Sequence, residues 1–314
     1  MSQLEEIKEL QTVLREDSSN FQARRRLAIL LLDSGFNEES LQQFLFLIGI
    51  FPNDASLYYN LGIVYEKLKK LNPAERAYLK AIEISPNETD FYYNLGLVYI
   101  DQQQYDKAIE AFNFVIKTDI DDANSYFNLG LCYTKKEEDE QAIEYLQKAV
   151  ELNDNDVFAH FYLGNHYKKQ GKIDAAIEKY EKVIKLCPDY SWAYFNIGSI
   201  GYEQGDFNSA IENLIKTLEL NPRDVEAYKI FSKILINLRK LEDAQELIQN
   251  AITENQYESD LYYILAQIYK AQNNLKGYEK GLRIALKNYK KLSFSVKEIK
   301  SELDEFIKQK SKIT

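Results

Sequence analysis

The sequence predicts an all-α fold, a solenoid of eight helix–turn–helix units with a single helix at each end. Glycine (12) and proline (5) are scarce among the 314 residues, whereas Tyr (24) and Phe (16) are abundant, and this disfavours a turn-rich β fold. The tripeptide Asn-Leu-Gly recurs at 60–62, 94–96 and 128–130, and related tripeptides follow at 162–164 and 196–198. A fixed period of 34 residues is typical of a repeat architecture.

The repeat runs through most of the chain without insertion or deletion. Position eight of most units is glycine, as at Gly62 and Gly96, and position twenty is alanine in most units. Position twenty-four is often aromatic, as at Tyr78 and Phe112. Small residues at fixed places let two helices approach closely while large ones fill the space around them. The units begin at Phe21, Ala55, Thr89, Ala123, Val157, Ser191, Val225 and Ser259.

Proline and glycine mark the turns of each unit. Position thirty-two, where a helix must stop, holds Pro52, Pro86, Pro188 and Pro222. Position fifteen, in the turn between the two helices, is glycine in three units. Gly201 replaces the usual tyrosine of position eleven, and we expect a local gap or flexible joint there.

These columns resemble the tetratricopeptide repeat over residues 21–292. The resemblance implies a right-handed superhelix whose first helices line the concave face and whose second helices form the convex back. One departure is that the family's tryptophan at position four is absent, and tyrosine stands there in six units.

Both ends are predicted to be capping helices, because a terminal repeat needs a cover for its apolar side. Residues 1–20 contain a predicted helix at 3–16, and residues 293–314 contain another, opened by a capping box from Ser295 to Glu298, together with a basic tail. The apolar faces are Leu4, Ile7, Leu10, Val13 and Leu14 in the first helix, and Val296, Ile299, Leu303, Phe306 and Ile307 in the last. Binding of a partner by these end helices is the alternative. We expect one continuous solenoid rather than separate domains.

Charge and cysteine content narrow the functional classes. The net charge is −10, which disfavours binding to nucleic acid or to an anionic membrane. Residues 276–314 nevertheless carry a net charge of +6. The first residues lack a secretory signal, no stretch could span a membrane, and two cysteines cannot form a disulfide framework, so we expect a cytoplasmic protein.

The sequence offers no catalytic constellation. His160 and His166 lie six residues apart, which does not place them on one helical face for a metal. Cys132 falls at a core position and Cys187 beside a turn proline, and neither has a neighbouring base that would activate a thiolate. We therefore expect neither enzymatic activity nor a cofactor.

In the family that the repeat resembles, the groove is lined mainly by positions two, five, six, nine, twelve and thirteen. Position six carries Asn60, Asn94, Asn128 and Asn196. An asparagine amide can both donate to and accept from a peptide backbone, so this series could hold an extended segment. It resembles the asparagine ladder of O-linked N-acetylglucosamine transferases. The alternative is that these side chains have only local structural roles.

An aromatic band is predicted beside the asparagines. Phe158 and Trp192 occupy position two of adjacent units. Position five carries Tyr59, Tyr93, Phe127, Phe161 and Phe195. An exposed apolar band is typical of a binding surface, and burial between adjacent first helices is the alternative.

Groove charge indicates what kind of partner would fit. The six positions hold nine basic residues, Lys168 among them, and seven acidic ones, a net charge of +2. This predicts an apolar or aromatic partner of neutral to mildly acidic character. Position two holds no lysine, so the carboxylate clamp that some relatives use for chaperone tails is not expected.

The leading functional prediction is a non-enzymatic scaffold or adaptor that binds a peptide segment or a partner protein in its groove. Two alternatives remain open. One is a substrate-recruiting subunit that acts with a separate enzyme, which the asparagine series suggests. The other is a weakly self-associating structural protein, in which the basic tail or the aromatic groove of one copy contacts the acidic body of another.

Overall fold

A computed structural model describes residues 2–255, 258–287 and 293–313, with side chains described as far as residue 309. All regular secondary structure in these ranges is helical, which confirms the all-α repeat fold. The chain divides into two compact units, Met1–Ala159 and His160–Thr314, and each is described by itself. Within the described ranges, no helix is both long and apolar enough to cross a membrane. The expectation of one continuous solenoid stays a prediction.

The helices follow the predicted register. Unit 1 contains α1 (Gln3–Glu16), α2 (Phe21–Asp33), α3 (Asn37–Ile50), α4 (Ala55–Lys67), α5 (Leu71–Ile84), α6 (Thr89–Asp101), α7 (Tyr105–Thr118), α8 (Ala123–Lys135) and α9 (Asp139–Leu152). The boundary between the units falls inside α10 (Val157–Lys169). Unit 2 continues with α11 (Ile173–Leu186), α12 (Ser191–Gln204), α13 (Phe207–Leu220), α14 (Val225–Asn237), α15 (Leu241–Glu254), α16 (Ser259–Ala271), α17 (Leu275–Lys287) and α18 (Val296–Ile313). In each repeat the first helix begins on the residue from which the unit was counted in the sequence.

The glycine of position eight is the point at which the two helices of a repeat meet. A Cβ built on Gly96 would lie 2.7 Å from the Phe112 ring, and one on Gly62 would lie 2.5 Å from the Tyr78 ring. Both rings belong to position twenty-four and are fully buried. The small residue at position eight and the large residue at position twenty-four therefore pack directly against each other.

The turn between paired helices contains one left-handed residue in all eight repeats. Position fifteen has a left-handed φ in each of them, and Gly35 and Gly171 supply it without strain. Five repeats have another residue there, with φ between 56° and 61°. These are Lys69, Gln103, Glu137, Arg239 and Asn273. The shape of the turn is thus set by the repeat as a whole and not by glycine alone.

Tyrosine at position four ties three of the repeats to the turn before them, through Tyr92, Tyr194 and Tyr228. The hydroxyl of Tyr92 donates to the carbonyl oxygen of Pro86 at 3.0 Å, and Tyr194 donates to that of Pro188 at 3.2 Å. Tyrosine can make this bond where the family has tryptophan because the phenolic hydroxyl reaches a carbonyl six residues back.

The prediction of a gap at Gly201 is wrong. A Cβ at this position would lie 3.0 Å from the backbone nitrogen of Ala210 and 3.1 Å from the carbonyl oxygen of Asp206. The start of α13 packs directly against this glycine, which leaves no gap, and the flexible joint stays a prediction. Glycine here therefore permits a close approach of two backbones.

The N-terminal helix α1 covers the first repeat. Ser2 and Glu5 form a capping box at its start, and Ile7 is buried against Leu27 and neighbouring leucines of α2. Leu4 was predicted on the apolar face, but it is 56% exposed, because the apolar packing against α2 begins one turn later, at Ile7.

The C-terminal helix α18 covers the last repeat. Ile299 and Leu303 are buried against α16 and α17, and the Ser295 hydroxyl accepts a hydrogen bond from the backbone of Glu298. The carboxylate of Glu302 accepts hydrogen bonds from Tyr263 and Lys270, at positions five and twelve of the last repeat. Val296 is half-buried, but Ile307, predicted on the same stripe, is exposed. Within the basic stretch 276–314, residues 288–292 and the side chains of 310–314 lie outside the described part of the chain.

Candidate interaction surface on the first helices

The candidate surface consists of positions two, five, six, nine, twelve and thirteen of each first helix, here called the first-helix face. At position five, Tyr59 and Tyr93 are half-buried, and each ring contacts the aromatic residue at position twenty-four of its own repeat. Burial and the nearby charge of Asp90 raise the pKa of Tyr59, and burial raises that of Tyr93, so both hydroxyls stay neutral. The position-five rings therefore belong partly to the core and partly to the surface.

Two of the four asparagines join consecutive repeats. The amide nitrogen of Asn94 donates to the hydroxyl oxygen of Tyr59 at 2.9 Å. Asn128 repeats the bond one step along, donating to Tyr93 at 3.3 Å, and is itself buried. Each amide keeps a second N–H and its carbonyl oxygen, but Asn128 exposes little of either.

The other two asparagines bond within their own helices. Asn60 donates to the carbonyl oxygen of Ser56 at 2.7 Å, and Asn196 donates to that of Trp192 at 2.9 Å. The difference follows from position five of the repeat before, because Arg25 and Phe161 stand there and carry no hydroxyl. The four asparagines therefore do not make equivalent hydrogen bonds.

The position-two aromatics are the exposed part of the face. In unit 1 the side chain of Phe158 is 55% exposed, and in unit 2 that of Trp192 is 53% exposed. Trp192 meets the edge of Phe195, with ring centroids 6.1 Å apart. Phe127 and Phe161 are half-buried, and Phe161 contacts the rings of Tyr180 and Tyr190.

Most of the cations counted on the face have a partner within the chain. The ammonium of Lys168 lies 3.3 Å from the Ser199 hydroxyl and 3.7 Å from the Glu203 carboxylate. Arg25, Arg26, Lys229 and Lys270 also form ion pairs, with Asp54, Glu6, Glu226 and Glu302. The net charge of +2 is thus largely neutralised locally, and it recruits a partner only weakly.

The groups considered for chemistry lie in the core or in turns. His160 and His166 are buried, and across the described ranges no three His, Cys, Asp or Glu side chains come together as a metal site would require. Cys132 lies in the core of unit 1, where burial raises its pKa to about 12. Cys187 ends α11 and donates to the Asp189 carboxylate at 3.0 Å, a bond that also raises the pKa of its thiol.

One apolar surface was missed by the sequence reasoning. The second helix α3 leaves Leu45, Phe46 and Ile50 exposed, and the guanidinium of Arg24 lies 4.1 Å from the centre of the Phe46 ring. The sequence did indicate this surface, because residues 40–51 contain no charged side chain. A helix that is apolar all round is expected to expose part of that surface when only one side is covered.

Comparison with known families identifies the class of protein. Sequence profiles described as tetratricopeptide repeat match residues 55–88, 89–155 and 201–268, and one described as TPR repeat matches 164–202. The chain belongs to the tetratricopeptide-repeat family. No curated protein sequence matches it.

Several solved structures resemble the chain over part of its length. MamA is 31% identical over 53% of this chain and 97% of its own, with a TM-score of 0.50. YrrB, described as a TPR protein with an unusual peptide-binding site, is 28% identical over 59% of this chain and 95% of its own, with a TM-score of 0.52. PilF of Pseudomonas aeruginosa is 18% identical over 68% of this chain and 97% of its own, with a TM-score of 0.59, and it supports the fold alone. The family, together with MamA and YrrB, suggests a protein-interaction scaffold.

Proposed function

We propose that the protein is a non-enzymatic adaptor that binds a peptide segment or a partner protein on its first-helix face. The observation that carries the proposal is the exposure of Phe158 and Trp192, aromatic residues at the same position of consecutive repeats. Large aromatic side chains are costly to leave in water and are enriched where proteins bind one another. The peptide-binding site described for YrrB is in keeping with this role.

Apolar contact, rather than charge, is the main contribution expected from the partner. The half-buried rings at position five give the exposed aromatics a rigid base, as the Trp192–Phe195 contact illustrates. The amides of Asn60 and Asn94 retain groups that could pair with a peptide backbone. The charge of the face favours a neutral to mildly acidic partner, although local ion pairs leave this preference small.

A cytoplasmic location and the absence of nucleic-acid binding belong to the same proposal. Both cysteines are free, which suits a reducing compartment, and the net charge of −10 opposes binding to a polyanion.

Affinity capture with matched variants tests the proposal. Phe158→Ala/Trp192→Ala removes the exposed aromatics, and since both side chains face solvent, the fold should be retained. Ile120→Ala/Leu275→Ala is the control, because these side chains are 67% and 58% exposed but lie outside the face. A protein captured by the wild type and the control, but lost by the aromatic variant, supports the proposal. Equal capture by all three contradicts it.

A further inference from the structure

An open cleft of about 850 Å³ lies in unit 1, at the turns that lead into the second and third repeats. The end of α3 and the segment 51–56 form one side, and residues 85–91 form the other. Because its lining comes from two turns 34 residues apart, the cleft is not visible in either repeat alone.

The inner wall of the cleft is apolar and rigid. Tyr59 and Phe91 contact each other there, with ring centroids 5.1 Å apart and planes inclined by 32°. Phe91 is buried, and the Tyr59 hydroxyl is held by Asn94. Ile50, at the rim, is 48% exposed and adds a further apolar surface. Such a wall can accept an aliphatic or aromatic side chain with little reorganisation.

The rim of the cleft carries two uncompensated negative charges. Three carboxylates line it, and Asp54 is neutralised by Arg25 at 2.6 Å. Burial opposes the charge on Asp54, but hydrogen bonds from Ser56 and Arg25 outweigh it and hold its pKa below the usual range. Glu88 and Asp90 are exposed, and within the described part of the chain neither carboxylate has an ion-pair or hydrogen-bond partner.

We propose that this cleft binds a segment of a separate protein in which an apolar side chain is flanked by lysine or arginine. The apolar side chain would lie against Tyr59 and Phe91, and the flanking cations would pair with Glu88 and Asp90. Neither an acidic nor a neutral segment would satisfy both carboxylates. This goes beyond the proposed function, because the segment bound at the cleft carries cations, whereas the charge summed over the whole first-helix face favours a neutral to mildly acidic partner.

Titration with defined peptides tests the assignment. The probe is acetyl-Gly-Lys-Phe-Lys-Gly-amide, followed by amide chemical shifts of the full chain at low ionic strength. Acetyl-Gly-Glu-Phe-Glu-Gly-amide tests the charge, and acetyl-Gly-Lys-Ala-Lys-Gly-amide tests the ring. We expect the Lys-Phe-Lys peptide to bind about tenfold more tightly than the Glu-Phe-Glu peptide, with shifts centred on residues 50–59 and 85–91, and the Lys-Ala-Lys peptide to bind more weakly.

Matched charge variants separate a specific site from general attraction. Glu88→Gln/Asp90→Asn should weaken binding of the Lys-Phe-Lys peptide about three- to tenfold. Glu140→Gln/Glu144→Gln removes the same charge from exposed positions of α9 in the same unit and should leave binding nearly unchanged. An equal loss in both variants, or no preference between the Lys and Glu peptides, would overturn the assignment.

Two further outcomes are distinguishable. If the peptide fails to bind but capture still depends on Phe158 and Trp192, the cleft assignment fails and the proposed function stands. Sedimentation at low salt could show that the free chain forms dimers and that Glu88→Gln/Asp90→Asn abolishes them. That result would overturn the proposal that the occupant is a separate protein. The occupant would then be the basic stretch 276–314 of a second copy.

Discussion

Alanine in place of Gly96 probes the contact between paired helices that the whole repeat is built on. The new Cβ would lie 2.7, 2.8 and 3.0 Å from three carbons of the Phe112 ring, closer than normal packing permits. Phe112 is fully buried, so its ring has no free space into which it could move. Overpacking of this kind costs about 1–3 kcal/mol, whereas the better helix propensity of alanine returns about 0.5–1 kcal/mol. We expect a net loss of up to about 2.5 kcal/mol in the free energy of unfolding.

Gly49→Ala provides a control for which we expect the opposite change in the free energy of unfolding. Gly49 lies inside α3, and nothing comes within 4 Å of a Cβ built there. Gly49→Ala should therefore gain about 0.5–1 kcal/mol from helix propensity alone.

Urea unfolding followed by far-UV circular dichroism measures both variants. Repeat proteins can unfold in several steps, so the midpoints of the first transition are compared, without assuming two-state behaviour. A second substitution, Gly96→Ala/Phe112→Leu, should cost less than the sum of its parts because the smaller side chain relieves the contact. If Gly96→Ala were as stable as Gly49→Ala, the close contact between positions eight and twenty-four would be refuted.

Three further predictions follow from the turns, the thiols and the C-terminal cap. Glu137→Gly should raise the free energy of unfolding by about 0.5–1 kcal/mol, because φ is 61° there, and an unchanged urea midpoint would contradict this. In the native protein a soluble disulfide reagent should modify Cys187 but not Cys132, because burial raises the pKa of the Cys132 thiol to about 12. After unfolding, both thiols should react. Rapid reaction of both thiols in the native protein would refute the burial of Cys132. Burial opposes the charge of Glu302, but hydrogen bonds from Lys270 and other residues outweigh burial and lower the pKa of the carboxyl. The contribution of Glu302 to stability should therefore be full above about pH 4.5 and lost on further acidification. Glu302→Gln should flatten the dependence of the unfolding midpoint on pH over that range, and an unchanged profile would contradict the assignment.

The fold was predictable because the same contacts recur in several repeats. The pairing of Gly96 with Phe112 recurs as Gly62 with Tyr78, so a chance match in one repeat could not mislead the assignment. Helix starts were predictable for the same reason. The left-handed turn residue was visible only where glycine stood, since at Glu137 the side chain gives no hint of its φ.

The site was less predictable, because its details depend on contacts between different repeats. Asn94 and Asn196 occupy the same column, yet one bonds to a tyrosine of the preceding repeat and the other to its own helix. The choice depends on whether the preceding position five carries a hydroxyl. Charge summed over the face is a weak guide for a similar reason, because Lys168 and four other cations on it form ion pairs with nearby carboxylates. The cleft beside Tyr59 was missed because two separate turns build it.

Site-specific photo-crosslinking tests most directly whether the first-helix face is the binding surface. A benzophenone amino acid would replace Phe158 or Trp192 on the face, and Ile120 or Leu275 at equally exposed positions elsewhere. After irradiation in cells of the source organism, adducts are separated by mass and identified. We expect a common partner to be crosslinked from positions 158 and 192 and not from 120 or 275. Adducts confined to 120 or 275 would contradict it and would place the binding surface outside the first helices.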